Sequence, residues 1–269
     1  MRRSLAVALP ALFALATVSL PGLAAGPGPL AAPPEGEDWR KASLDRLATT
    51  PSSTTVTRGR RVIVAIASRS AAPDRPGAWF DQTATYAVDG SGRIELTHRV
   101  VPRGEVRALP YLGRVGYTLK APARFDTFAW YGRGPVENYV DRKDGTRMGV
   151  WSSTVDEQYV PYYRPQDHGN HDDVRWALLT DGGAGLLVGG DVEVSATPYD
   201  DLDRALCPFA RVRNPGWNTL HVDHAVTGVG DTPNPVRPEY RVRADTEYGY
   251  TTILRPLTPR EAITRRLHR

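Results

Sequence analysis

Residues 83–100 read TATYAVDGSGRIELTHRV. The first six are β-branched, aromatic or small. Asp89-Gly90-Ser91-Gly92 then breaks the run, and RIELTHRV alternates, with Ile94, Leu96, His98 and Val100 on one side and most of the charged residues on the other. A period of two on either side of an Asp-Gly turn predicts an antiparallel hairpin with one buried face. The signal recurs outward. RVIVAIA at 61–67 is a β-branched run, and short strands are expected at 114–119, 125–131, 146–151, 174–180, 184–188, 192–196, 218–226 and 239–247. Gly (25) and Pro (23) recur often enough in the 269 residues to punctuate strands of this length. No amphipathic helix longer than about 12 residues precedes the tail, so the βαβ alternation of a parallel sheet or TIM barrel is missing. The expectation is an all-β chain, an antiparallel sandwich. WRKASLDRL at 39–47 has room for two helical turns.

The ends read differently. Arg2-Arg3, an apolar run from Leu5 to Leu20 and small residues around Gly22, Ala24 and Ala25 have the order of a secretory signal peptide over 1–25. With Pro10, Thr17 and Ser19 inside it, the run is short for a membrane span. Export is therefore expected. GPGPLAAPPEGED at 26–38 reads as a Pro/Gly-rich linker without regular structure. The domain is expected over 39–257, followed by a basic tail at 258–269.

The formal charge of +4 drops to +2 without Arg2 and Arg3, and the remaining arginines are interleaved with acids. That distribution disfavours nucleic acid as a partner. The single cysteine, Cys207, excludes an intrachain disulfide and reads as a small buried hydrophobe.

Three blocks carry the most information: LPYLGRVGYTL (109–119), FAWYGRGPVENYVDR (128–142) and YVPYYRPQDHGNHDDVRW (159–176). HVDHAVTGVG (221–230) and Pro238-Glu239-Tyr240 follow. Together with WRKASLDRL they resemble, in order, the C-terminal small-chain segment (domain 5) of family 2 β-galactosidases, over about residues 39–250. The resemblance implies a supersandwich related to galactose mutarotase. It implies a place in a glycoside-hydrolysing system beside a large catalytic chain, with galactoside or another carbohydrate as the ligand, and it implies no cofactor.

The departures bear on function. In the family the catalytic glutamates and metal ligands belong to a preceding barrel, which has no counterpart here. The family domain also opens with strands absent from this chain, so its sheet is expected to lack its first strands. A family histidine is replaced by Cys207. The family's tryptophan after the glycine-rich turn has no match between Gly230 and Pro238, where Asp231 to Asn234 stand instead.

Glycoside hydrolysis needs two carboxylates close together. Glu137, Glu157, Glu193 and Glu239 match no catalytic motif, and there is no GxSxG elbow or GxGxxG loop. No catalytic residue is assigned. The candidates for carbohydrate or interface contact are Tyr131, Arg133, Glu137, Asn138, Asp141, Arg142, Tyr163, Gln166, His168, Asn170, Arg175, Asp231 and Asn234. Within the turn, Gly132, Gly134 and Pro135 favour a tight reversal, and Glu137, Asn138, Asp141 and Arg142 are suited to satisfying its amides. His168, His171, Asp172 and Asp173 have the spacing of metal ligands, as do His221 and Asp223, but a polar loop and strand histidines account for both groups. Two rivals remain: a stand-alone secreted carbohydrate-binding module, and a mutarotase-like enzyme pairing His98, His168 or His171 with Glu137.

Overall fold

The computed structural model describes residues 34–162, 167–200, 212–213, 216–230 and 234–258. They form one short α-helix (Pro34–Lys41) and thirteen strands: β1 (Ala48–Arg58), β2 (Val62–Ala72), β3 (Arg75–Val88), β4 (Ile94–Gly104), β5 (Arg114–Pro122), β6 (Thr127–Gly134), β7 (Arg147–Thr154), β8 (His171–Thr180), β9 (Gly185–Thr197), β10 (Tyr199–Asp200), β11 (Val212–Arg213), β12 (Trp217–Val226) and β13 (Tyr248–Leu257). Every pairing is antiparallel. The main sheet runs β1-β2-β3-β4-β13-β9-β8-β6-β7, with β12 joining β9 to β5.

Strand β9 makes this sheet a sandwich. Its first half pairs with β13 and its second half with β12. The switch falls at Gly189-Gly190, where Gly190 has φ +149, a conformation that side chains rarely adopt. The sheet divides there, and the β5–β12 pair folds over β13 and β4. Tyr117 on β5 meets Thr252 on β13 through a 2.8 Å hydroxyl contact in the buried interior. Phe80, Leu96, Val100, Phe128, Trp130, Leu179, Leu220 and Val222 fill the space between. The alternation expected for 94–100 is present: Leu96, His98 and Val100 are buried, Thr97 and Arg99 exposed. The 89–92 turn closes β3 onto β4, and Asp89 accepts from the Ser91 amide at 2.9 Å.

Several expectations need correction. The segments 184–188 and 192–196 are one strand, because the diglycine bends β9 without ending it. Residues 239–247 are not a strand. A 3-10 turn (Pro238–Tyr240) is followed by loop, and the final strand is β13, whose Thr252 and Leu254 supply the buried face. The helix begins at Pro34, inside the stretch read as linker. Pro34 suits a first helical turn, and Trp39 on this helix packs edge-on against Tyr111 at 5.3 Å. The largely polar β1, ATTPSSTTVTR, was not foreseen. Residues 1–25, Cys207 and 259–269 lie outside the described residues.

Candidate functional site

The 128–142 block ends β6 and turns back on itself. Arg133 donates from Nε to Asp173 at 2.5 Å and from Nη1 to the carbonyls of Lys143 (3.3 Å) and Thr146 (3.4 Å). Lys143 lies 2.7 Å from Asp172 and 3.5 Å from Asp173. These cations hold the Asp173 carboxyl below its ordinary range despite partial burial. The paired aspartates are thus held by lysine and arginine. His171 stacks on Trp130 at 3.9 Å and shares its Nε2 with Gln158 at 2.7 Å; burial pushes it down to about 3.

A buried polar lattice lies beneath the turn. Asn138 accepts from the Asp172 amide (2.8 Å) and donates to Val136 O (3.0 Å), while its backbone amide donates to Asn170 O (2.7 Å). Asn170 Nδ2 donates to Asn138 O (3.0 Å) and to Glu193 Oε2 (2.8 Å). Glu193 also accepts from the Val226 amide at 2.8 Å, and burial pushes its pKa up to about 8. Glu137 accepts from the Gly169 amide at 2.7 Å and from the Tyr162 hydroxyl; burial raises it, and the Gly169 bond pulls the other way.

Arg114 is fully buried on β5. It donates to Asp223 on β12 at 3.1 Å and to Asp167 in the loop. Burial opposes its charge, and the two carboxylates outweigh that effect. Asp223 is itself raised to about 7 by burial, against the pull of Arg114. This ion cluster escaped the sequence reading because its partners are far apart in the chain.

The lattice supports an open pocket at the surface. Asp141 accepts from the amides of Val229 (3.1 Å) and Gly230 (2.8 Å), and Arg142 donates to Gly230 O at 2.8 Å. The fit requires glycine at 228, where a Cβ would lie 2.3 Å from the Asp141 carboxyl carbon. Beside this clamp is a cavity of about 260 Å³ lined by Asp141, Gly230, Asn234, Pro235, Arg237 and Tyr240. It combines a carboxylate, a guanidinium, an amide and a phenol ring, groups able to hold a hydroxyl-rich ligand or a polar loop. Among the described residues, Asp141 is the one acid lining it.

Of the candidates, Asp141, Arg142 and Asn234 converge here. Glu137, Asn138 and Asn170 belong to the lattice, Asn138 and Asn170 being fully buried and out of a surface ligand's reach, while His168 is buried edge-on against Tyr159 at 5.1 Å. Arg175 pairs with Asp191 at the surface. Tyr163, Gln166 and Asp231 lie outside the described residues. Arg237 and Tyr240 line the pocket without having been singled out; neighbouring Pro238-Glu239-Tyr240 was the available signal. His98 shares its ring nitrogens with Tyr250 (2.7 Å) and Gln82 (3.2 Å), so it is engaged in the core and not with Glu137. Tyr131 is 38% exposed on the outer face of β6, where Met148 (42%) and Val150 (50%) of β7 extend an apolar stripe.

The family profile described as "Beta galactosidase small chain" matches residues 31–254. The chain belongs to the β-galactosidase small-chain family. Its relatives include the β-galactosidase of Priestia megaterium, 33% identical over 82% of this chain and 21% of that protein. That of Lactobacillus delbrueckii is 33% identical over 66% of this chain and 18% of the relative. That of Kluyveromyces lactis is 29% identical over 79% and 21%. The small-chain protein thus spans about a fifth of the length of these curated relatives. A solved GalM/aldose epimerase homologue from C. elegans aligns with 76% of this chain and 68% of its own, at 10% identity and a TM-score of 0.40.

Proposed function

We propose that this small-chain protein is the accessory part of a β-galactosidase, exported by its signal peptide, that docks on a catalytic chain and does not cleave glycosides alone. The reading is carried by the family match over residues 31–254, a stretch that corresponds to about a fifth of the curated relatives' length. The apolar stripe of Tyr131, Met148 and Val150 supports it, since a large apolar side chain in water gains by being covered.

The test mixes the chain with a β-galactosidase large chain lacking its small-chain part. Association on gel filtration and gain of chromogenic β-galactoside hydrolysis are expected, with no hydrolysis by either partner alone. Val150→Arg should abolish association while leaving the circular-dichroism melt unchanged. Hydrolysis by the isolated chain would overturn the reading.

A second reading, a free carbohydrate-binding module, is favoured by the cavity of about 260 Å³ beside Asp141, Asn234, Arg237 and Tyr240. Calorimetric titration with galactosides separates the two: heat of binding by the isolated chain that Arg237→Ala removes supports the module.

A further inference from the structure

The β1–β2 hairpin is an exception to the interleaving of arginines with acids read for the chain as a whole. From Arg46 to Pro73 the sequence has no Asp or Glu and five arginines: 46, 58, 60, 61 and 69. Three of them crowd the tip, Arg58-Gly59-Arg60-Arg61, where Gly59 N donates to Arg61 O at 3.1 Å. Arg61 lies 3.6 Å from Glu95 on β4, which Arg93 also approaches at 3.5 Å. Asp89, in the neighbouring turn, accepts from Ser91. No ion pair involves Arg58 or Arg60 among the described residues.

The tip is apolar as well as basic. Val56 is 48% exposed, and Val62 and Ile63 are each 39% exposed. Val56 and Val62 project on one face of the ribbon and Ile63 on the other, as the alternation of a strand requires. Val56 lies two residues behind Arg58, about 7 Å along the strand. Val56, Arg58 and Val62 thus share one face, apolar side chains beside a cation, the composition of an element that lies in the headgroup–acyl boundary.

We propose that the β1–β2 hairpin is a docking element for an anionic lipid surface. Lying along the surface, the ribbon turns Val56 and Val62 into the boundary beside Arg58, and Arg58 and Arg60 meet lipid phosphates. A soluble polyanion would engage the arginines but leave Val56 and Val62 in water. A second copy adding to the β1 edge would meet Pro51, which has no amide hydrogen, and the register break between Pro51 and Ser53.

The test is vesicle co-sedimentation, run with the full chain and in parallel with residues 26–269, so that the apolar run Leu5–Leu20 does not carry the result. Vesicles of phosphatidylcholine containing about a third phosphatidylglycerol should bind both forms, with pure phosphatidylcholine binding far less and added salt weakening the binding. Arg58→Gln with Arg60→Gln should weaken partitioning about 25-fold, roughly fivefold per arginine. Val56→Ser with Val62→Ser should weaken it several-fold at constant charge. An unchanged circular-dichroism melt certifies both variants as folded. The proposal is overturned by failure of residues 26–269 to bind, by equal binding of the arginine variant, or by heparin binding without vesicle binding. It is equally overturned by a dimer that the hairpin variants dissociate without any vesicle binding.

Discussion

One row of residues crosses the sheet from Val56 on β1 through Val64, Tyr86 and Leu96 to Thr252 on β13. The ladder is continuous, but the surroundings reverse: Val56 is 48% exposed, while Leu96 and Thr252 are at 0%. The inner strands are covered by β5 and β12, whose Tyr117 reaches Thr252, and the outer ribbon extends beyond that cover. Backbone pairing therefore builds a sheet, while only a second layer builds a core. A side chain of one type is structural at one end of the row and available for contact at the other.

The largest effect should come from the covered end. Asp223→Ala leaves the Arg114 guanidinium buried with Asp167 as its remaining ion-pair partner, and a broken buried pair costs about 3–5 kcal/mol. Urea denaturation should show a loss of that size, a large part of the roughly 5–15 kcal/mol holding a domain of ordinary stability. A loss below about 1 kcal/mol would mean that the cluster is better solvated than its burial indicates.

The next test is pH. Glu193 holds its proton more tightly when folded, up to about 8 against an ordinary 4.5. The stability due to its neutral form is complete below about pH 4.5 and is lost as pH rises through about 8. His171, pushed down to about 3, acts oppositely: its contribution is complete above 6.5 and is lost as pH falls through about 3. The urea midpoint should therefore fall between pH 6.5 and 9. Glu193→Gln should lower it throughout, because an amide places a donor against Asn170 or Val226, but should flatten its slope. A midpoint that rises with pH in the unsubstituted chain would break the account.

The smallest effect belongs to the ribbon. Thr55→Ala on exposed β1 should shift the urea midpoint by no more than about 0.5 kcal/mol equivalent. A larger loss would show that β1 is covered in solution, removing the contrast between the two ends of the row.

The hairpin at 83–100 was legible because turn chemistry and alternation are local, and the buried face of β4 follows from them. The polar β1 was not, since its Thr/Ser run lacks alternation and contains Pro51; its pairing with β2 makes it a strand. The diglycine of β9 read as a break because glycine ends many strands, and only the neighbours on both sides show that the strand passes through it. In the site, Asp141 was reachable from the ordered blocks and Asn234 from the departure between them, and Pro238-Glu239-Tyr240 pointed toward Tyr240. Arg114 and Asp223 were not, because a buried ion pair leaves no mark at either position alone.

The sequence by itself determined the antiparallel strand class, the family blocks and the acid-free charge of the first hairpin, since each is written in neighbouring residues. The tertiary structure alone decided that β9 carries two layers, that Arg114 lies between Asp167 and Asp223, that Asp141 clamps the 228–230 loop, and which end of the sheet is left uncovered. Those depend on the register between distant strands, where a shift of one residue turns every side chain to the opposite face.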